Sequence, residues 1–396
     1  MTQVIYDPYR WETAHDPYPI YRRLRDEAPV YRNDELGFWA LSRHADVLAA
    51  HNDPATFVSS GGVTIEGTEK GSPLLLLMDQ PEHTWHRKIV SRVFTPRRVA
   101  DLEPFIRARA GELLDKFRDA AEFDAVSDFS VQLPLDVISE LVGIPEELRT
   151  TVHELSDQVL TRSSDRDVGD DLANAMIEMI MLFLDLVKDR RANPRDDVIS
   201  LLIQTEVTDD DGVTRRLSDE EVAVRFQELA LAGHETVAKL IPNGIVALAW
   251  FPDQRRLLLD DPTLMRAAVD EMLRWDAPSQ YQGRTAARDV ELHGVTIPAD
   301  DRVILITGSA NHDERVYPDP DRFDVERTIE HPVSFGFGIH LCLGAHLARL
   351  ETRVAFEELL ARFPDYDVDG DRAVRQAHSN VRGLSHLPVL TNDAAS

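Results

Sequence analysis

The sequence predicts a mainly α chain with a small β-rich region, organised as a single domain over residues 1–396. Three observations carry that reading. Helical apolar periodicity with its own start and stop signals recurs along most of the chain. Strand-like runs are few and short. No internal repeat or low-complexity linker divides the sequence. Length alone would argue for two domains, but a large helical chain can wrap one core around a buried group.

Taken in order, Tyr18–Asp26 is a first helix opened by Pro19, and Val30–Arg32 and Phe38–Leu41 are short strands. Arg43–His51 is helical again. Ser59–Ser72 holds Gly61, Gly62, Gly67 and Gly71, the mark of a long adaptable loop. Helices alternate with short turns from Glu82 to Arg191. Asp209, Asp210, Asp211 and Gly212, within Thr208–Thr214, make a turn between two elements. Ser218 with Glu221 is a capping box, opening a helix over about 218–250. At helical rise it is about 50 Å long, enough to cross the molecule, with a kink expected at Pro242. Asp261–Trp275 is another helix, Val290–Pro298 and Arg302–Thr307 are strands, and Gly344–Phe363 is the last long helix.

Composition removes several classes of function. Hydrophobic residues make up 43% and charged residues 29%, a globular rather than disordered balance. A formal net charge of −27 argues against nucleic acid or an anionic membrane as partner, since both require a basic surface. One cysteine excludes an internal disulfide. Met1–Tyr18 lacks the apolar run of a signal peptide. The most apolar helical stretch, Met176–Val187, is broken by Glu178 and Asp185 and spans no bilayer. The expectation is a soluble cytoplasmic protein.

The cysteine stands in Phe335-Gly336-Phe337-Gly338-Ile339-His340-Leu341-Cys342-Leu343-Gly344. A lone cysteine is by default a small buried hydrophobe. Here it sits between a glycine-rich loop and a helix start, where backbone N–H groups and the helix dipole favour thiolate. Gly336, Gly338 and Gly344 permit positive φ and close approach of a flat ligand, and Phe335 can screen the sulfur. These features suit a metal thiolate and also a nucleophile. The loop resembles the Phe-x-x-Gly-x-x-x-Cys-x-Gly pattern of the cytochrome P450 superfamily at every fixed position.

That resemblance extends to motifs in the family's order. Ala232-Gly233-His234-Glu235-Thr236, midway along the long helix, is similar to the oxygen-activating pentad, an acid followed by threonine beside a widened helical turn. Alone, a mid-helix threonine is filler back-bonded to a carbonyl. The resemblance implies that Gly233 leaves room for dioxygen, Ala232 shares that face, and Thr236 and Glu235 are catalytic, delivering protons. Glu271 and Arg274, three apart, would ordinarily be a surface pair. The family buries that pair and completes it with an arginine from Pro-x-Arg-Phe, matched here by Arg322, as a structural network. His83 and Arg87, four apart, resemble the family's propionate pair, with Arg284 and His340 in its two further propionate positions.

Membership of the soluble, actinobacterial-type branch implies the triangular cytochrome P450 fold around a buried haem. It implies haem b with Cys342 as iron ligand, and Phe335, Gly338, Ala232 and Gly233 lining the haem. The activity implied is a monooxygenase inserting one oxygen atom into a hydrophobic organic substrate, with electrons from a ferredoxin or flavodoxin and its NAD(P)H reductase. Alternatives are a peroxide-driven peroxygenase, a haem-thiolate isomerase or dehydratase, a haem-binding sensor and, most remote, a cysteine hydrolase. By family position the substrate pocket draws on Val63, Ile65, Leu74, Leu75, Leu229, Gln280, Gln282 and Val381. Such a lining suits a medium or large guest such as a terpenoid, steroid, fatty acyl chain or macrolide. Lys88, Arg92, Arg97 and Arg98, with Arg349 and Arg353, form the expected docking face for an acidic redox partner.

Overall fold

The computed structural model describes residues 4–68, 71–160, 170–208, 212–376 and 380–391. Asp209, Asp210 and Asp211 lie outside the described residues. The flanking Val207–Thr208 and Thr214–Arg215 pair as antiparallel strands. Helices dominate, and the largest core cluster is built by Glu103–Asp115, Gln132–Val142, Asp219–Trp250, Met265–Trp275 and Ala345–Arg362.

The central helix Asp219–Trp250 starts at the expected capping box. Ser218 Oγ accepts from Glu221 N at 3.2 Å, and Glu221 Oε2 accepts from Ser218 N at 2.7 Å. It runs through Pro242 as one element. The proline leaves the Ala238 carbonyl without its usual donor, and the buried Ser130 hydroxyl donates to that carbonyl at 2.9 Å. The helix therefore passes the proline with no orphaned acceptor at Ala238.

The five-stranded sheet runs Val30–Asn33, Phe38–Leu41, Arg302–Leu305, Gln282–Ala286, Phe57–Val58. Only the Phe38–Leu41 and Arg302–Leu305 pair is parallel. Period-two alternation sends Ile304 into one small core with Tyr6, Tyr21 and Phe38. Val303 and Leu305 enter another with Leu41 and Val47. Arg284 opposes Val303 in this register and is thereby held rigidly.

Two expectations are corrected. Val290–Pro298 is not one strand but a hairpin of Val290–Leu292 and Val295–Ile297. His293 and Gly294 both take positive φ, 52° and 76°, the two-residue turn that reverses the chain. Asp261–Trp275 divides into a short turn of helix at Pro262–Leu264 and the helix Met265–Trp275. Among the described residues, no helix is long and apolar enough to cross a membrane.

Candidate active site

The cysteine loop is shaped by its glycines. Gly336 and Gly338 both have φ of 68°, and a Cβ on Gly338 would stand 2.5 Å from the His51 carbonyl oxygen, so only glycine fits. Cys342 N donates to the Phe335 carbonyl at 2.9 Å, closing the loop just before the helix Ala345–Arg362. Cys342 is exposed, yet burial is the largest influence on its thiol, so the chain crowds the sulfur without covering it. The Gly344 N–H, Arg87 and Arg349 pull its pKa down, but burial outweighs them and the thiol sits above its ordinary value. The expected lowering by a backbone N–H at the helix start is present, from Gly344, but it is not the largest influence. Thiolate here depends on a bound metal, which deprotonates a coordinating thiol outright.

An open face lies midway along the central helix. Ala232 is exposed midway along it, whereas Ala230 and Val237 are 0% and 4% exposed, so packing is interrupted on that face. Thr236 and Glu235 are half-buried. Thr205 and Thr352 donate to the Leu201 and Ala348 carbonyls, each at 2.7 Å. The Thr236 hydroxyl makes no such bond among the described residues and is free for other work. The helix shows no widened turn beside it. A Cβ on Gly233 would approach Ile138 Cδ1 to 2.8 Å, so the glycine also lets the helix Gln132–Val142 pack closely here.

A cationic cluster brings the expected propionate residues together. The His83 and His340 rings are 4.2 Å apart, and His340 Nε2 meets Ser59 Oγ at 3.2 Å. Neither ring nitrogen of buried His83 has a partner. Burial, then Arg87, pushes His83 down to about 4. Burial, then Arg284, His83, Arg87 and His51, pushes His340 down to about 2. Burial lowers Arg284 to about 10, and its Nη1 donates to the Gly283 carbonyl at 2.7 Å. Arg87 Nη2 donates to the Leu341 carbonyl beside the cysteine. The nearby Asp79 carboxylate is occupied by Ser59 N and Ser60 N, at 2.8 and 3.0 Å.

Two arginines beside two neutral histidines offer a set of donors suited to an anion, and the two propionates of a haem fit it. Among the described residues no group of three His, Cys, Asp or Glu could hold a bare metal ion. Sequence reasoning missed His51, which packs under Gly336 and Gly338 and joins this cluster. No local motif marks it.

Glu271 and Arg274 are 0% and 1% exposed, and Arg274 donates twice to the Glu271 carboxylate, at 2.6 and 2.8 Å. The second arginine is not Arg322. That side chain is exposed, and the residue contributes only its carbonyl, which accepts from Arg274 Nη2 at 3.3 Å. Arg327 takes the place instead, its Nε 3.2 Å from Glu271 Oε1. The chain turns back after buried Phe323, bringing Asp324 N within 3.0 Å of the same oxygen and Arg327 behind it.

The expected pocket set separates. Ile65 packs into the small N-terminal core and Leu75 and Leu229 into the main core, because apolar side chains seek any dry surface. Gln280 is spent on Tyr21 Oη and the Ala277 carbonyl, at 3.0 and 2.7 Å. Gln282 is spent on Ser279 Oγ and Thr307 Oγ1, both at 2.7 Å. Val381 bridges to Ser279 and, with Gln280, borders a small cleft beside Tyr21 and Arg382. Val63 and Leu74 remain half-buried on the loop.

The basic face also divides. Lys88, Arg92 and Arg97 are exposed and Arg98 is half-buried. Arg349 is paired with Asp270 at 2.7 Å and stacked 4.6 Å over Phe335. Arg353 is held by Glu103 and Glu357, at 2.6 and 2.8 Å. Their positive charge is already matched within the chain, unlike that of the exposed Arg92.

The cytochrome P450 family profile matches residues 149–372. The chain is 42% identical to cytochrome P450 123 of Mycobacterium tuberculosis, covering 98% of this chain and 97% of that one. It is 40% identical to the vitamin D(3) 25-hydroxylase of Pseudonocardia autotrophica, covering 94% and 93%. The solved structure of cytochrome P450 CYP109Q5 from Chondromyces apiculatus superposes with a TM-score of 0.89 at 35% identity, covering 97% of each chain.

Proposed function

The chain belongs to the cytochrome P450 family, a haem b monooxygenase by that membership, and on this premise we propose that it hydroxylates or epoxidises a hydrophobic organic substrate. In this reading the electrons come from NAD(P)H through a separate ferredoxin or flavodoxin system. The observation that carries the reading is the half-buried Thr236 hydroxyl, free of its own helix carbonyl and on the helix face that carries exposed Ala232. When bound, haem with a thiolate ligand supplies the electron push that favours cleavage of the oxygen–oxygen bond.

The chain's own residues divide the remaining work. Cys342 would hold the iron, and Phe335 with Gly338 would shape the loop around its sulfur. His83, Arg87, Arg284 and His340 bind and orient the propionates. Thr236 Oγ1 holds a proton at the open face, and Glu235 resupplies it from solvent. The glycine-rich loop, with Val63 and Leu74, admits a medium or large apolar guest, a reading supported by the relative named for hydroxylating vitamin D(3).

The test is turnover under isotopically heavy dioxygen with a reconstituted reductase chain. One heavy atom per product molecule supports the proposal. Product oxygen drawn from peroxide, or conversion without any electron donor, would reassign the chain as a peroxygenase or an isomerase.

A further inference from the structure

Arg225, Ala232 and Thr236 recur at helical spacing on the central helix and so share one face. Arg225 lies about 10 Å from Ala232 and about 16 Å from Thr236 along the axis. Its side chain is 1% exposed. Nη2 donates to the Pro73 carbonyl and Nη1 meets Glu228 Oε2 at 2.6 Å, while Nε has no partner. Leu76 N in turn donates to Glu228 Oε1 at 3.3 Å, so the loop end closes over the pair.

Two more buried nitrogens without partners lie on the neighbouring helix Glu82–Val90. They are His86 Nδ1 and Trp85 Nε1, in rings 4.4 Å apart. Burial first, then Arg225, holds His86 below its ordinary value, so the ring is neutral. Its Nε2 is 3.7 Å from Glu221 and 3.8 Å from Glu82, beyond hydrogen-bonding distance. Buried N–H groups without an acceptor each cost a lost hydrogen bond, and folded proteins rarely leave several together.

We propose that this junction recognises an uncharged oxygen acceptor, a hydroxyl or a ketone or ester carbonyl, at the end of the substrate remote from the oxidised carbon. The proposal rests on the monooxygenase reading. The acceptor is uncharged because Glu228 already pairs with the Arg225 guanidinium while Glu82 and Glu221 flank the His86 ring, so a further carboxylate at this junction would meet three of its own sign. Arg225 Nε supplies the donor, His86 Nδ1 adds a second in the tautomer that carries the ring proton there, and Pro73–Leu76 closes over the bound group. Arg225 and His86 are thus specificity-determining residues.

The experiment titrates the haem-loaded protein with tetradecane, myristyl alcohol and myristate, following the spectral shift as iron-bound water is displaced. The alcohol should bind about tenfold more tightly than the alkane, one satisfied hydrogen bond's worth, and more tightly than myristate. In Arg225→Met and in His86→Leu the alcohol and the alkane should converge to within about twofold. Equal affinities in the wild type, a preference for myristate, or a preference for alcohol that survives both substitutions would overturn the assignment. Failure of the monooxygenase reading would appear separately, in the isotope experiment, and would leave these affinities unchanged.

Discussion

Arg327 Nε lies 3.2 Å from Glu271 Oε1, and with Arg274 it surrounds a carboxylate that is 0% exposed. Removing one partner of a buried charge leaves the other uncompensated, a loss of about 3–5 kcal/mol when no second partner remains. Arg274 stays in place, so Arg327→Ala should cost about 1–3 kcal/mol, the scale of one lost charged hydrogen bond. Arg322→Ala should change stability by less than about 0.5 kcal/mol, as an exposed side chain. Denaturant unfolding of the two variants checks the contrast. Equal losses, or a greater loss for Arg322→Ala, would refute the placement of Arg327.

Thr236→Ala should bind haem and substrate as the wild type does, while diverting electrons from product to peroxide or water. The measurement is product formed per NAD(P)H consumed. Because the hydroxyl makes no hydrogen bond within the described chain, the substitution should leave the melting temperature almost unchanged. An unaltered ratio would make Thr236 a packing residue.

Charge reversal at Arg92 should raise the ferredoxin concentration giving half-maximal rate, and added salt should reduce the difference. Reversal at Arg353 should instead act through stability, because its guanidinium is bonded to Glu103 and Glu357. Steady-state titrations of the two variants at low and high salt separate the cases. If Arg92→Glu changes neither the half-maximal concentration nor its salt dependence, the exposed basic segment is not where the partner docks.

Much of the fold was legible because its signals are local. The Ser218–Glu221 box, the long helix it opens and the glycines around Cys342 each act within a few residues of chain. Val290–Pro298 misled because a His-Gly turn looks like a strand interior until both residues take positive φ. The site was legible where a motif fixed both ends of a contact, as for His83 and Arg87. It was not legible where tertiary folding chose the partner. Arg327 displaced Arg322 because the chain after Phe323 turns back on Glu271. His51 reached the cysteine loop from a helix nearly three hundred residues earlier. Ile65, Leu75 and Leu229 went to cores because an apolar side chain reads the same in a core and in a pocket.

The central claim is that Cys342 ligates the iron of a bound haem, and the reduced, carbon-monoxide-bound absorption spectrum tests it most directly. The wild-type protein should show the strongly red-shifted main band of thiolate ligation, and Cys342→Ser should lose it together with turnover, since no second cysteine exists in the sequence. A wild-type spectrum without the shifted band, or a Cys342→Ser protein that keeps it, would contradict the account.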